Sequence, residues 1–477
     1  MKISGYFSKR PSPDQMLGWL QDFCDREGWV DLGDRDLVAL TARFIDRFAG
    51  ATTILLAEPD PVCCLAAFLA GVTGDRALFL ANPHWQQREW QQVFALVQPE
   101  ISVGIVPELA PERADTLPPS SSATGIMIPT GGSSGTIRFA MHRWETLGAA
   151  VEGAHCYFDC QPLHSYCVLP LYHVSGLMQF LRALLTGGRF VCQSFRTLRQ
   201  NFQQHLPAPD LPALDLTARS HFFISLVPTQ LQQLLDAGAG EWLAGFGVVL
   251  LGGAPPWESL LIDARDRQIP LGLTYGLTET AAQIATLKPT DFLQGNRSSG
   301  RVLPHARIEI AADRPGEPGR IAIAATSLCR GYYPHAFDDS QWFLTDDLGW
   351  CDRAGYLHIS GRHSRKIITG GENVMPEEVE AAIRATGLVA DVCVVAVPDR
   401  QWGEAIVALY VAATGVEVEP ERWRERLQLG LQLARYKHPK HWLAVREIPR
   451  SDRGKVDFAA CAALAAEVNR KPLRGHS

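Results

Sequence analysis

The stretch Ala51-Thr-Thr-Ile-Leu-Leu-Ala-Glu-Pro-Asp-Pro-Val-Cys-Cys-Leu-Ala-Ala-Phe-Leu-Ala70 decides the fold. Its first seven residues form a short apolar run of the length of a buried strand, closed by Pro59-Asp-Pro61. The apolar segment that follows opens on Pro61, and proline is well tolerated at the first position of a helix, where its missing N–H would have no partner. The pattern predicts a strand over 51–57 and a helix over 61–70. It continues with a strand over Arg76 to Ala81 and a helix over Trp85 to Val97, a rhythm that predicts an α/β sheet covered by helices.

Outward from this unit the same alternation resumes at Tyr166 to Leu169, Leu177 to Leu185, Phe190 to Gln193, His221 to Val227 with helical Thr229 to Ala237, and Val248 to Leu251. Pro107 to Ser122, rich in proline, serine and charge, predicts an exposed loop leading into a strand over Gly125 to Ile128. From Arg307 the texture changes to short strands with glycine turns, at Arg307 to Ile310, Arg320 to Ala324 and Tyr356 to Ile359. After Gly361 come a strand, a helix started by Pro376 with Glu377 and Glu378 in its first turn, strands over 392–397 and 405–412, and a helix over 420–433. The expected class is α/β: a large N-terminal domain of α/β layers with a β-rich subdomain over 1–361, and a small α+β C-terminal domain over 362–477.

At 477 residues the chain has room for two to three compact units, and its 46% hydrophobic and 20% charged content is ordinary for a globular protein. A formal net charge of −6 gives no general attraction to nucleic acid or to an anionic membrane, so a polyanionic ligand must be held by a local site. No nucleic-acid partner is expected. No apolar run reaches the length of a membrane span, and the first residues lack the apolar segment of a signal peptide, which makes the cytoplasm the expected compartment. Eleven cysteines without the spacing of a disulfide framework suit reduced thiols. His155, Cys156, Cys160 and His164 form the one metal candidate, but their spacing fits no common zinc signature. Oligomeric state is not legible.

Thr130-Gly-Gly-Ser-Ser-Gly-Thr136 packs three glycines and four hydroxyl side chains into seven positions after an apolar strand. Such a loop lets backbone N–H groups and hydroxyls approach phosphate oxygens without a Cβ in the way. No Gly-Lys-Ser/Thr follows at the Walker distance, which disfavours a P-loop kinase or GTPase. Gly131-Gly-Ser-Ser-Gly135 also fits the Gly-x-Ser-x-Gly nucleophile elbow with Ser133 as the serine, and a serine hydrolase is the alternative from another class. That elbow requires a helix after the serine, whereas 136–142 reads as a strand.

Thr274-Tyr-Gly-Leu-Thr-Glu-Thr280, Thr345-Asp-Asp-Leu-Gly349, Gly361-Arg-His-Ser364, Gly370-Gly-Glu-Asn-Val374 and Gly454-Lys455 follow in order. Together with the glycine-rich loop they resemble the acyl-adenylate-forming superfamily of acyl-CoA synthetases, luciferases and peptide-synthetase adenylation domains. The resemblance implies ATP, Mg²⁺ and CoA as cofactor and co-substrates, a carboxylic acid as substrate, and a mobile C-terminal domain that turns about Ser364. It implies nucleotide contacts from Thr130, Gly131, Gly132, Ser133, Ser134, Gly135 and Thr136, from Gly252, Gly253 and Ala254 in Leu250-Leu-Gly-Gly-Ala-Pro-Pro256, and from Tyr275, Gly276 and Thr278. Tyr275 would stack on adenine, Asp347 would accept from both ribose hydroxyls beside Arg362, and Glu279 would ligate Mg²⁺. Catalytic roles fall to Lys455, Glu279, Arg138 and His173. Arg138 stands where the family usually has lysine, in a loop that lacks the usual proline and final glycine; arginine keeps the charge and adds a planar fork. Leu169-Pro-Leu-Tyr-His-Val-Ser-Gly176, Ser225-Leu-Val-Pro-Thr229 and Ile368-Thr-Gly-Gly-Glu-Asn-Val374 resemble most the o-succinylbenzoate:CoA ligase branch, of menaquinone and phylloquinone biosynthesis. Other aryl or acyl acids remain open. In that branch the aromatic carboxylate would need a buried partner, for which Arg301, Ser299 and His173 are candidates.

Overall fold

The computed structural model describes residues 9–29, 35–107, 124–131, 137–159, 161–204, 216–312, 314, 317–338, 341–369, 372–399, 402–413, 433, 435–450 and 454–470. The opening stretch folds as the strand Thr53–Ala57 and the helix Pro61–Val72. Asp60 caps that helix by accepting from the Cys63 N–H, and Pro61 takes the first turn. The strand is paired in parallel on both sides, with Ala77–Leu80 and with Ile101–Gly104, which explains why nearly every residue in it is apolar.

Two seven-stranded sheets form the large part of the fold. The first runs His335–Ala336, Gly331–Tyr332, Ile137–His142, Gly125–Gly131, Ala77–Leu80, Thr53–Ala57, Ile101–Gly104. The second runs Arg301–Val302, Ala282–Thr286, Leu271–Leu277, Val248–Leu251, Phe222–Leu226, His164–Cys167, Phe190–Cys192. The first has three antiparallel pairings on one side and three parallel ones on the other, and the second has two antiparallel and four parallel. One core cluster contains Ile54 and Leu56 of the first sheet, Cys167 and Phe190 of the second, and the helices Pro61–Val72, Trp144–Tyr157 and Val174–Thr186. The first and last of these helices are buried on nearly all faces, as a layer packed between two sheets must be.

A third, antiparallel sheet joins Ala306–Ala311, Gly319–Ala325, Phe343–Cys351 and Leu357–Arg362, and is the expected β-rich region. A fourth follows it in the chain: Glu372–Val374, Ile367–Thr369, Gly403–Ala412 and Val389–Asp399, with His441–Ala444 on Gly403–Ala412. The helices Pro376–Ala385 and Phe458–Arg470 contribute to its two cores, through Val379 and Ile383 on one side and Cys461 and Ala465 on the other. The fold is thus α/β, with a large N-terminal part and a small C-terminal one.

Two helices, Pro13–Asp25 and Leu37–Arg47, lie before the first element expected from the sequence. The first has a readable signal, a capping box in which Ser12 and Gln15 each bond the other's backbone N–H. Of the expected features, the loop beyond 107, residues 132–136, Cys160, Gly370, Gly371 and residues 420–432 of the helix expected over 420–433 lie outside the described residues. Among the described residues no helix is long and apolar enough to cross a membrane.

Candidate active site

Tyr275, Asp347 and Arg362, far apart in sequence, are brought together by the second and third sheets. Asp347 stands opposite Arg362 in the pairing of Phe343–Cys351 with Leu357–Arg362. Tyr275 Oη donates to Asp347 Oδ2 at 2.7 Å, and Arg362 Nε donates to Oδ1 at 3.1 Å. Asp347 is buried, and its own N–H is turned onto Thr345 Oγ1 at 3.1 Å. Burial, and after it the Asp347 carboxylate, hold the Tyr275 phenol well above its ordinary pKa, so it remains a donor. An ionised carboxylate has about four acceptor positions, so two bonds leave capacity for a vicinal diol. Asp346, the next residue, accepts from the backbone N–H of Ser364 at 3.1 Å and from its hydroxyl.

Thr278-Glu279-Thr280 form a tight turn between the strands Leu271–Leu277 and Ala282–Thr286, with a bulge at Tyr275 and Gly276. Ala281 and Ala282 follow with φ of 52° and 82°, two non-glycine residues in the left-handed region, a strained geometry found mostly where surroundings hold it. His142, at the end of Ile137–His142, is one such restraint. Its Nε2 lies 2.7 Å from the Thr278 carbonyl oxygen, which can only accept, so Nε2 carries the proton and Nδ1 faces the Thr146 hydroxyl at 3.0 Å. Burial drives the His142 pKa from 6.5 down to about 4, against the opposing pull of the Thr278 bond. Between these two values the unfolded chain binds a proton that the folded one refuses, so stability falls as pH drops from about 6.5 toward 4. This residue is expected to remove about 2 kcal/mol between pH 7 and pH 5. Urea unfolding at both pH values should show a smaller difference in His142→Gln than in the wild type; an unchanged difference would rule out the assignment.

Glu279 is buried, and Tyr332 Oη donates to its Oε1 at 2.5 Å. The Arg138 guanidinium lies over the same tyrosine ring, 4.1 Å from its centre. Arg138 is paired with Thr130, and Ile137 with Gly131, so the glycine-rich loop connects two antiparallel strands of the first sheet. Gly132, Ser133, Ser134, Gly135 and Thr136 lie outside the described residues. The element after them is a strand, as the sequence suggests, and not the helix that a nucleophile elbow requires.

Gly252, Gly253 and Ala254 leave the C-terminal end of Val248–Leu251 in a turn that needs a positive φ of 79° at Gly253. A Cβ built on Gly253 would lie 3.9 Å from Lys455 Cε, so the lysine stem reaches this turn across the two parts of the fold. Gly454 is equally close to the large part, its virtual Cβ 3.5 Å from Thr229 Oγ1.

The profile of AMP-binding enzymes matches residues 53–333, and that of the AMP-binding enzyme C-terminal domain matches residues 378–455. The chain belongs to the AMP-binding enzyme family. A 2-succinylbenzoate–CoA ligase of Listeria monocytogenes is 34% identical over 298 residues, covering 61% of this chain and 59% of that protein. One from Geobacillus kaustophilus is 30% identical over 370 residues, covering 74% and 72%. The chain thus spans 59% of the length of the first curated relatives it matches. Among solved structures, o-succinylbenzoate CoA synthetase (MenE) from Bacillus subtilis in complex with the acyl-adenylate OSB-AMP superposes with a TM-score of 0.74 at 21% identity, over 97% of this chain and 99% of that one. ATP-bound MatB from Rhodopseudomonas palustris gives 0.76 at 20%, over 96% and 100%. At these identities the structures share the fold.

In this AMP-binding enzyme a small cavity of about 10 Å³ lies between Ser165, Gln179, Arg182, Phe223, Ser225 and Gln283, room for about one water. The sequence reading missed its most telling residue. Arg182 is buried in the helix Val174–Thr186, and its Nε and Nη2 have no partner among the described residues, as is also true of Gln179 Oε1 and Gln283 Oε1. Burial alone pushes the Arg182 pKa down to about 10, which still leaves it charged at neutral pH. His305 adjoins this region: it packs against Gly153, where a Cβ would stand 1.8 Å from Nδ1. Burial, then Arg182, lower its pKa to about 4, so it is neutral. A buried cation without a counter-charge among the described residues is costly. The sequence candidates for a partner of the aromatic carboxylate fare otherwise. Arg301 is exposed, with its guanidinium over the Tyr356 ring, and Ser299 donates its N–H to Leu357 O at 2.8 Å. His173 is buried at the start of the helix Val174–Thr186, with its ring 4.4 Å from that of Tyr172.

Proposed function

We propose that this AMP-binding enzyme is an ATP-dependent, AMP-forming acid–thiol ligase that converts 2-succinylbenzoate to its CoA thioester through an acyl adenylate. The observation that supports this reading is the approach of Lys455 to Gly253, a cationic side chain near the C-terminal edge of the sheet that also bears Tyr275 and Glu279. Ligands of open α/β sheets bind at that edge.

The residues fit the groups the reaction needs. The exposed turn at Gly253 and Ala254 and the ring of Tyr275 suit an adenine, and Asp347, held by Tyr275 and Arg362, keeps acceptor capacity for a ribose. Glu279 is one buried carboxylate, which suits Mg²⁺, an ion that takes one or two carboxylates beside phosphates and water. The ion would supply charge neutralisation on the phosphates. Lys455 orients the succinyl carboxylate and stabilises charge as one of its oxygens bonds to the α-phosphorus and pyrophosphate departs. In the second step the CoA sulfur, as thiolate, bonds to the acyl carbon and AMP leaves. Arg182 is the buried cation available to pair with the second carboxylate of the acid, which keeps its charge on burial only if paired, and the one-water cavity beside it would have to widen to admit that group.

The same carbonyl cannot easily face both pyrophosphate and a thiol, so two poses are needed. On this reading residues 1–361 and 362–477 are the two moving units and Ser364 is the hinge. The bonds from Ser364 to Asp346 support it, since they tie the junction in the pose that brings Lys455 to Gly253. Ser364→Pro removes both bonds and fixes φ. It is expected to impair thioester formation more than acyl-adenylate formation, read as CoA ester and pyrophosphate measured separately; one common factor for both steps would reject the hinge.

The test of the activity is incubation with ATP, Mg²⁺, CoA and a panel of acids. AMP and thioester should appear in equal amounts, with 2-succinylbenzoate preferred over 3-benzoylpropionate, which lacks the aromatic carboxylate. Equal turnover of the two acids would refute the diacid assignment. Ester hydrolysis without ATP would refute the ligase.

A further inference from the structure

Tyr332 joins two residues that a reaction scheme treats as separate. It belongs to the short strand Gly331–Tyr332, between His335–Ala336 and Ile137–His142, where it stands opposite Ala140, and the next N–H, that of Tyr333, donates to Phe139 O at 2.9 Å. Arg138 is two residues from Ala140 along its strand, the diagonal position that a long side chain can span. Its guanidinium covers the tyrosine ring at 4.1 Å. At the far end of the same ring the hydroxyl donates to Glu279 Oε1 at 2.5 Å. The backbone reinforces the contact, because Cys329 N–H donates to the Glu279 carbonyl at 2.8 Å. Segment 329–332 therefore holds Glu279 by main chain and side chain together.

We propose that Tyr332 is a positioning residue for the metal and phosphate half of the site, fixing the Glu279 carboxylate through its hydroxyl and the Arg138 guanidinium through its ring. Two consequences follow from the chemistry. With Oε1 taken by the phenol, Oε2 is the oxygen that would be offered to a divalent cation, and the carboxylate would meet it in one orientation. Magnesium, which demands near-octahedral geometry, is sensitive to that orientation. Arg138, an exposed side chain on the strand that follows the glycine-rich loop, is kept from extending into solvent by a face it is attracted to. An arginine gains from this platform in a way that a lysine would gain less, since the planar guanidinium stacks on an aromatic face.

The proposal rests on the ligase reading of Glu279 and Arg138, and its test separates the two. Tyr332→Phe keeps the ring and removes the hydroxyl; Tyr332→Leu removes both. Mn²⁺ affinity in the presence of ATP, read by electron paramagnetic resonance of the free ion, reports on Glu279. KM for ATP in acid-dependent pyrophosphate release at saturating Mg²⁺ reports on Arg138. Tyr332→Phe should weaken Mn²⁺ binding about tenfold, the usual size for losing a group that orients a ligand, with KM for ATP unchanged. Tyr332→Leu should weaken the metal and also raise KM for ATP. Unchanged Mn²⁺ affinity in Tyr332→Phe, or the same losses in both variants on both readouts, would overturn the positioning role. If the wild type turns over no acid while Tyr332→Phe still loses Mn²⁺ affinity, the ligase reading fails and the positioning role stands. If the wild type binds no Mn²⁺ with ATP, both fall.

Discussion

Lys455→Ala is expected to slow acid-dependent pyrophosphate release about 10²- to 10³-fold, the range for removing one preorganised donor aimed at developing charge. CoA transfer to a supplied acyl adenylate should be largely spared. The asymmetry follows from where the charge is needed. In the first step negative charge accumulates around the α-phosphorus while a second anion, the carboxylate, is brought against it, and a cation lowers both costs. In the second step pyrophosphate has gone, and on the two-pose account Lys455 has moved away from Gly253. On that account the nearness of its Cε to the turn, 3.9 Å from where a Cβ on Gly253 would stand, belongs to the first pose. Rapid-quench measurement of the two half-reactions on folded variant decides the matter, and equal losses in both would count against the role.

Arg182→Leu should separate function from stability in opposite directions. Truncating one partner of a desolvated charge pair costs about 2–5 kcal/mol, so kcat/KM for 2-succinylbenzoate should drop on the order of 10²-fold. The monoacid 3-benzoylpropionate should be affected little. The ligand-free protein should become more stable, because leucine replaces a buried cation whose Nε and Nη2 have no partner among the described residues. A parallel loss for both acids, or a lower thermal midpoint, would show that Arg182 is a packing residue with a hidden structural partner.

The parts of this protein that were readable in sequence are those whose signal is local. The strand Thr53–Ala57 and the helix Pro61–Val72 announce themselves by run length and by proline, and residues 136–142 read as a strand, found as Ile137–His142. Tyr275, Asp347 and Arg362 were singled out by motif resemblance, and the sheets bring them within hydrogen-bond distance of one another. What was missed depends on pairing between distant segments. His142 reaches Thr278 and Tyr332 reaches Glu279 only because strands far apart in the chain lie side by side, which no periodicity records. Arg301 was a candidate partner for the aromatic carboxylate, and it lies exposed on Tyr356. Arg182 did carry a local signal: it is the one charge in the apolar run Val174–Thr186, and a charge in a helix buried on nearly all faces needs a reason.

The most direct test of the central claim, activation of a carboxylate by transfer of AMP, follows one oxygen atom. The acid is supplied with ¹⁸O in its succinyl carboxylate, together with ATP, Mg²⁺ and CoA, and the AMP released is weighed by mass spectrometry. Attack of that carboxylate on the α-phosphorus followed by thiolysis leaves one labelled oxygen in AMP, and this is the predicted result. AMP free of label, with label retained in the acid or lost to phosphate, would contradict the acyl adenylate and the assignment built on it.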